Sequence, residues 1–241
     1  MRTFKQYLQE NRVNLEYHDT LNQDLFDSDK LRPEVRSKLL EIVSKFVQFN
    51  KIKPDIISDV VMSGGSANYN YTPLSDIDVH MIIDKDKIKG DQDFITNYFM
   101  AYKDLWTKNH PDIRVKGLPV ELYAMVEGEK TPESQGVYSL QKDAWVVKPQ
   151  RVRVDYDDPV LVSKVTHYEN LIDTLTDSDE PDMSKLNALK NKLHKMRSEG
   201  IASGGEFSQG NLVFKSLRNT GHIDKMSAFY KKHEDDELSL K

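Results

Sequence analysis

The chain has 241 residues, a formal net charge of −5, 38% hydrophobic and 30% charged residues. That length allows one large domain or two small ones with a real core, and aromatics spread along the chain exclude global disorder. The absence of cysteine excludes disulfides and thiolate metal sites and fits a cytosolic protein, net acidity argues against a generic nucleic-acid coat while leaving room for a local basic groove, and no apolar run approaches the roughly 20 residues of a membrane span.

The N-terminal MRTFKQYLQENRV lacks the apolar core of a secretory signal. Its Phe4, Tyr7 and Leu8 have the spacing of a short amphipathic helix, or of a frayed surface terminus. Arg32–Asn50 reads as a helix, with Pro33 suited to its first turn and Val35, Leu39, Ile42, Phe46 and Val47 on one apolar face. Asp55–Met62 is a predicted β-branched strand that ends at Gly64 and Gly65. Ile77–Ile83 is a second strand: Asp76, Asp78 and His80 share one face, and Ile77, Val79 and Met81 share the other. A helix over Phe94–Lys108 follows, then strands at Ile113–Val115 and Val120–Val126 joined by a turn at Lys116–Pro119. Gly136–Val147 reads as a hairpin or edge segment with Tyr138, Leu140 and Trp145 available for packing. Beyond Asp155–Pro159 four helices are expected, at about 159–177, 183–199, 208–220 and 222–238. The loops DSDEPDMS and IASGGEFSQG interrupt them.

The stretch VMSGGSANYNYTPLSDIDVHMIID carries the chemistry. Paired acids on one strand face are ordinarily solvated, and a glycine pair is ordinarily a plain turn. Here, however, the strand is flanked by Ile82 and Ile83 and reads as central. A second strand, LPVELYAMV, sets another carboxylate, Glu121, between Val120 and Leu122. Two aspartates at i, i+2 point the same way, and a third acid from an adjacent strand completes an oxygen-rich pocket suited to a hard cation such as Mg²⁺. A turn over Gly64, Gly65 and Ser66 lets backbone N–H groups approach an anion closely. The Gly-Lys-Ser/Thr pattern of P-loops is absent, so this is a different phosphate device.

Gly65-Ser66, Asp76-Ile77-Asp78 and the later Val120-Glu121-Leu122, in that order, resemble the DNA polymerase β-type nucleotidyltransferase superfamily. The resemblance implies an α+β fold: a mixed sheet flanked by helices, followed by a C-terminal helical subdomain. The corresponding division is a catalytic domain over residues 11–155 and a helical subdomain over 156–241. It implies that Gly64, Gly65 and Ser66 bind the triphosphate of an NTP. Asp76 and Asp78 hold two Mg²⁺ or Mn²⁺ ions, and Glu121 completes the metal site and helps deprotonate an acceptor hydroxyl. The third acid departs from the family pattern, in which many members carry Asp, and the extra methylene would loosen the second metal. The expected acceptor is an RNA end, a protein side chain, a small molecule or a second nucleotide, with no membrane involved. A phosphohydrolase, or a non-catalytic interaction or virion protein on the same scaffold, is the alternative.

The stretch GEFSQGNLVFKSLRNTGHIDKM resembles the helical tail of phage-encoded predicted nucleotidyltransferases. In it Lys215 and Arg218 share a helix face, either to neutralise triphosphate charge or as a solvated basic face. Ser208 is a candidate cap for that helix, and Arg197 is a candidate ligand or a surface ion-pair residue. His80 either supports the acids or is a packed histidine, and Tyr69 and Tyr71 either stack on a base or pack. MRTFKQYLQE resembles the capsid-targeting peptides of T4-like phages, with processing after Glu10 at Leu8-Gln9-Glu10. That implies a protein of the host cytoplasm that is packaged in the phage virion.

Overall fold

The computed structural model describes residues 15, 17–128, 136–152, 154–178 and 181–240. The expected processing segment Met1–Glu10 lies outside them. The chain forms two compact units, one spanning Tyr17–Arg151 and one that includes Val152–Lys241. The fold is α+β, with a mixed sheet flanked by helices and a run of helices after it.

The first unit begins with a small antiparallel ladder of β1 (Phe26–Asp27) and β2 (Lys30–Leu31). The segment FDSDKL is too short to show strand periodicity, and the turn depends on Ser28 at φ +57°. Phe26 stacks on Trp145 at 5.4 Å, which anchors the ladder to the main core. Helix α1 (Pro33–Phe49) carries proline in its first turn and buries Val35, Leu39, Ile42, Val43, Phe46 and Val47, the face its periodicity predicts. Pro54–Ile56 forms a 3₁₀ turn, so β3 starts at Ile57 rather than Asp55 and runs to Ser63. Strand β4 covers Ile77–Ile83, and helix α2 covers Gln92–Asn109. Strands β5 (Arg114–Val115) and β6 (Leu118–Val126) follow, then β7 (Val137–Ser139) and β8 (Ala144–Val147).

These strands form a six-stranded sheet in the order β5-β6-β4-β3-β7-β8. Strands β4 and β6 are parallel, as the intervening α2 permits, and the other pairings are antiparallel. Ile77, Val79, Met81 and Ile83 of β4 are fully buried in one core with residues of α1 and α2. There Trp106 of α2 meets Phe46 of α1 edge-on at 5.5 Å. The intervening residues Asp78, His80 and Ile82 are half-buried on the opposite face. That alternation follows from the two-residue period of a strand, and it turns the acids away from the core.

The second unit is helical: α3 (Pro159–Thr176), α4 (Met183–Gly204), α5 (Gln209–Asn219) and α6 (His222–Glu237). Its core holds Leu161, Val165, Ile172, Leu186, Leu189, Leu193, Val213, Leu217 and Met226. Asp158 and Ser208 cap α3 and α5 by accepting backbone N–H groups of the first turn. Helix α4 extends through the first half of IASGGEFSQG, and the loop there starts at Gly205. Among the described residues no helix is long and apolar enough to cross a membrane.

Candidate active site

Strand β3 delivers the chain to a turn whose shape only glycine permits. Gly64 has φ +75°, and a Cβ there would lie 1.9 Å from Asp78 Oδ2. The carboxylate of Asp78 therefore rests against the bare Cα of Gly64. A 3₁₀ turn over Gly65–Ala67 follows, closed by Ala67 N–H donating to the Gly64 carbonyl and Asn68 N–H to the Gly65 carbonyl. The first amides of such a turn have no acceptor within it.

The turn is braced from two sides. The buried Ser66 hydroxyl donates to the Asp76 carbonyl at 2.5 Å, tying the turn to the start of β4. Any approach of Ser66 to a phosphate is thus through its amide rather than its hydroxyl. Asn68, also buried, donates from its side-chain amide to the Gly64 carbonyl at 3.2 Å and accepts from Gly136 N–H at 3.1 Å. Gly136 fits because its Cα abuts the Ala67 carbonyl, 2.3 Å from where a Cβ would stand. The tyrosines of the spacer are engaged in packing. Tyr71 stacks on His18 at 3.8 Å, and Tyr69 lies beside the Arg151 guanidinium at 5.2 Å.

The register of β4 against β6 brings the third acid in. Asp78 pairs with Glu121 across the parallel ladder, and Asp76 stands one residue before β4. Carboxylate oxygens of Asp76, Asp78 and Glu121 all lie within 4.8 Å of one another, each residue half-buried. The same face continues in rows. His80 stacks on Tyr123 at 5.1 Å in the next row, and Ile82 stands beside Met125 in the one after. A groove of ≈ 340 Å³ opens there, lined by Ser63, Val61, His80, Ile82, Met125 and Lys142 among others.

Three mutually close carboxylates repel by a few kcal/mol per pair at a protein-surface dielectric, roughly 332/(20 × 4.8) at the outer distance. A cation stands beside Glu121. Lys103 of α2 donates to Glu121 Oε2 at 3.2 Å, and the Tyr123 hydroxyl donates to the same oxygen. The Lys103 ammonium also lies 3.7 Å from the centre of the Tyr123 ring. Burial, and then the hydrogen bond to Glu121 and the surrounding negative charge, hold the Tyr123 phenol well above its usual range, so it stays a donor. Burial, helped by the Lys103 charge, lowers His80 to about 4 and keeps its ring neutral near pH 7. The donor set is all hard oxygen on converging backbone, which fits a divalent cation such as Mg²⁺ or Mn²⁺.

The remaining candidates sit in the helical unit. Lys215 donates to Glu206 Oε1 at 2.6 Å in a largely buried pair, with side chains 16% and 8% exposed. Arg218 is on the last turn of α5, half-buried. The Arg197 guanidinium stacks on Phe214 at 4.8 Å. Lys103 and Tyr123 were not among the residues singled out from the sequence. A signal existed for Lys103: it shares a helical stripe with Ile95, Phe99 and Trp106, all buried, where a lysine is out of place.

No family model and no curated protein matches the chain. Solved structures that resemble it include a STING-associated CdnE c-di-GMP synthase from Capnocytophaga granulosa, 15% identical, covering 86% of this chain and 84% of that one, TM-score 0.25. A CdnE cyclic dinucleotide synthase from Elizabethkingia meningoseptica, with GTP and Apcpp, is 9% identical over 94% and 82%, TM-score 0.29. A CdnC:HORMA-deltaN complex from E. coli MS115-1 is 15% identical over 94% and 68%, TM-score 0.28. Likeness at that level assigns no activity to this chain, and the functional reading rests on the geometry of the acids.

Proposed function

We propose that this chain is a metal-dependent nucleotidyltransferase that moves a nucleoside monophosphate from an NTP to an acceptor hydroxyl, with pyrophosphate leaving. The observation that carries the reading is the convergence of Asp76, Asp78 and Glu121 within 4.8 Å, against a glycine turn shaped around Asp78. Asp76 and Asp78 would hold two divalent cations, with Glu121 completing the site. When bound, those cations supply activation of the attacking oxygen and charge neutralisation at the leaving phosphates. The Gly65 and Ser66 amides face the triphosphate, and Asn68 keeps the turn from relaxing. The acceptor hydroxyl approaches along the exposed sheet face, where Glu121 receives its proton.

The net charge of −5 disfavours a long polyanion and supports a small molecule or a protein side chain as acceptor. The direct test is incubation of the protein with each α-labelled NTP, Mg²⁺ or Mn²⁺ and a cell lysate. Label is expected on an acceptor, and not with Asp76→Ala/Asp78→Ala. Transfer that survives in the double variant overturns the site. Absence of NTP binding under every condition favours a non-catalytic scaffold protein, and release of free nucleotide without labelled acceptor favours a phosphohydrolase.

The finer reading, a phage-encoded enzyme packaged in the virion and processed after Glu10, rests on the MRTFKQYLQE stretch. Mass spectrometry of purified particles tests it: an intact N-terminus, or no protein, overturns it.

A further inference from the structure

We infer that Lys103 is a built-in counter-ion of the third acid, which makes uptake of a divalent cation depend on the nucleotide that accompanies it. The inference rests on the metal-site reading above and adds a residue and a binding order to it.

Lys103 is held in place from several directions. Its helix is fixed by Phe99 and Trp106, both buried, one turn to either side. Its ammonium is 3.2 Å from Glu121 Oε2 and 3.7 Å from the Tyr123 ring centre. Its side chain is 26% exposed. The ring face attracts the ammonium through its quadrupole, and the phenol hydroxyl donates to the same carboxylate oxygen. Two donors on Oε2 aim Glu121 at the lysine side of the cluster. A half-exposed ion pair of this kind contributes little to folding, so stability alone does not account for a lysine in an otherwise apolar stripe.

Its electrostatic consequence is local. The cluster carries three carboxylates within 4.8 Å, and the ammonium neutralises one of them. A bare divalent cation therefore meets a site with less net negative charge than its ligands suggest, and it meets a like charge beside Glu121. A cation that arrives with a triphosphate brings negative charge of its own, which offsets the ammonium and gives it a second partner. The lysine thus weakens loading without nucleotide more than loading with it.

The experiment measures Mn²⁺ binding to the full-length protein by loss of the free-ion electron paramagnetic resonance signal. It is run without nucleotide and with a non-hydrolysable ATP analogue. Lys103→Met is expected to tighten nucleotide-free Mn²⁺ binding by about tenfold, the size of one partly screened charge interaction at this distance. It should also shrink the gain that the analogue produces. Lys103→Arg should restore the wild-type difference, and Lys103→Gln, which keeps a polar tip, should follow Lys103→Met. Unchanged or weaker nucleotide-free binding in both neutral variants overturns the inference and leaves the metal site standing. Mn²⁺ binding that persists in Asp76→Ala/Asp78→Ala, or that is absent from the wild type even with analogue, overturns the metal-site reading and this inference with it.

Discussion

Each unit of this protein holds a lysine–glutamate pair, and the two pairs have different surroundings. Lys215 and Glu206 in the helical unit are 2.6 Å apart and nearly enclosed. Lys103 and Glu121 on the sheet are 3.2 Å apart and partly open, with two more carboxylates alongside. The enclosed pair has given up water on both sides, so each partner is costly to leave alone. The open pair keeps water, so it can exchange partners at small cost. Burial, rather than residue type, decides which pair serves folding and which serves binding.

The largest expected effect breaks the sheet side of that comparison. Asp78→Ala should lower label transfer by on the order of 10³-fold, as loss of several kcal/mol of charge stabilisation requires, while thermal denaturation moves little. Next comes the enclosed pair. Glu206→Ala should cost roughly 3 kcal/mol in chemical denaturation, because it strands the Lys215 ammonium, and Glu206→Gln/Lys215→Met should recover much of it. Gly64→Ala is expected to cut transfer by about 10²-fold, since its methyl occupies the space of Asp78 Oδ2 and misplaces a ligand. Circular dichroism should show the fold retained.

A smaller effect comes from pH. The ordinary His80 value of 6.5 falls to about 4 in the folded protein, so the unfolded chain binds the extra proton first. Stability contributed by the neutral ring is complete above pH 6.5 and is lost as pH falls toward 4. His80→Gln should flatten that part of a stability–pH curve. The smallest effect is that of Lys103→Met on folding, under about 1 kcal/mol by denaturant titration. A large loss there would erase the contrast between the two pairs.

Much of the fold was legible because the period of apolar residues is a direct record of burial. The stripe of α1 and the alternation of β4 both appear in the structure, residue by residue. The spacing of Asp76 and Asp78 likewise showed that they share a face. Lys103 escaped because a helix residue reaching Glu121 is a matter of tertiary position, and only its misfit with Phe99 and Trp106 hinted at it. Nor did sequence show that Lys215 turns to Glu206, since Glu206 sits in a glycine-rich loop whose path no periodicity records. The β1–β2 ladder was missed because two-residue strands leave no pattern.

The pairing of Asp78 with Glu121 across β4 and β6 has a consequence for transplanting this site. Neighbouring strands lie about 4.7–4.9 Å apart in any sheet, and the register sets these two residues directly opposite one another on adjacent strands. The spacing of those two ligands is therefore set largely by the backbone ladder, with side-chain conformers left to make the fine adjustment. A minimal graft would need two parallel strands in this register and a glycine turn entering beside them, and little of the surrounding protein.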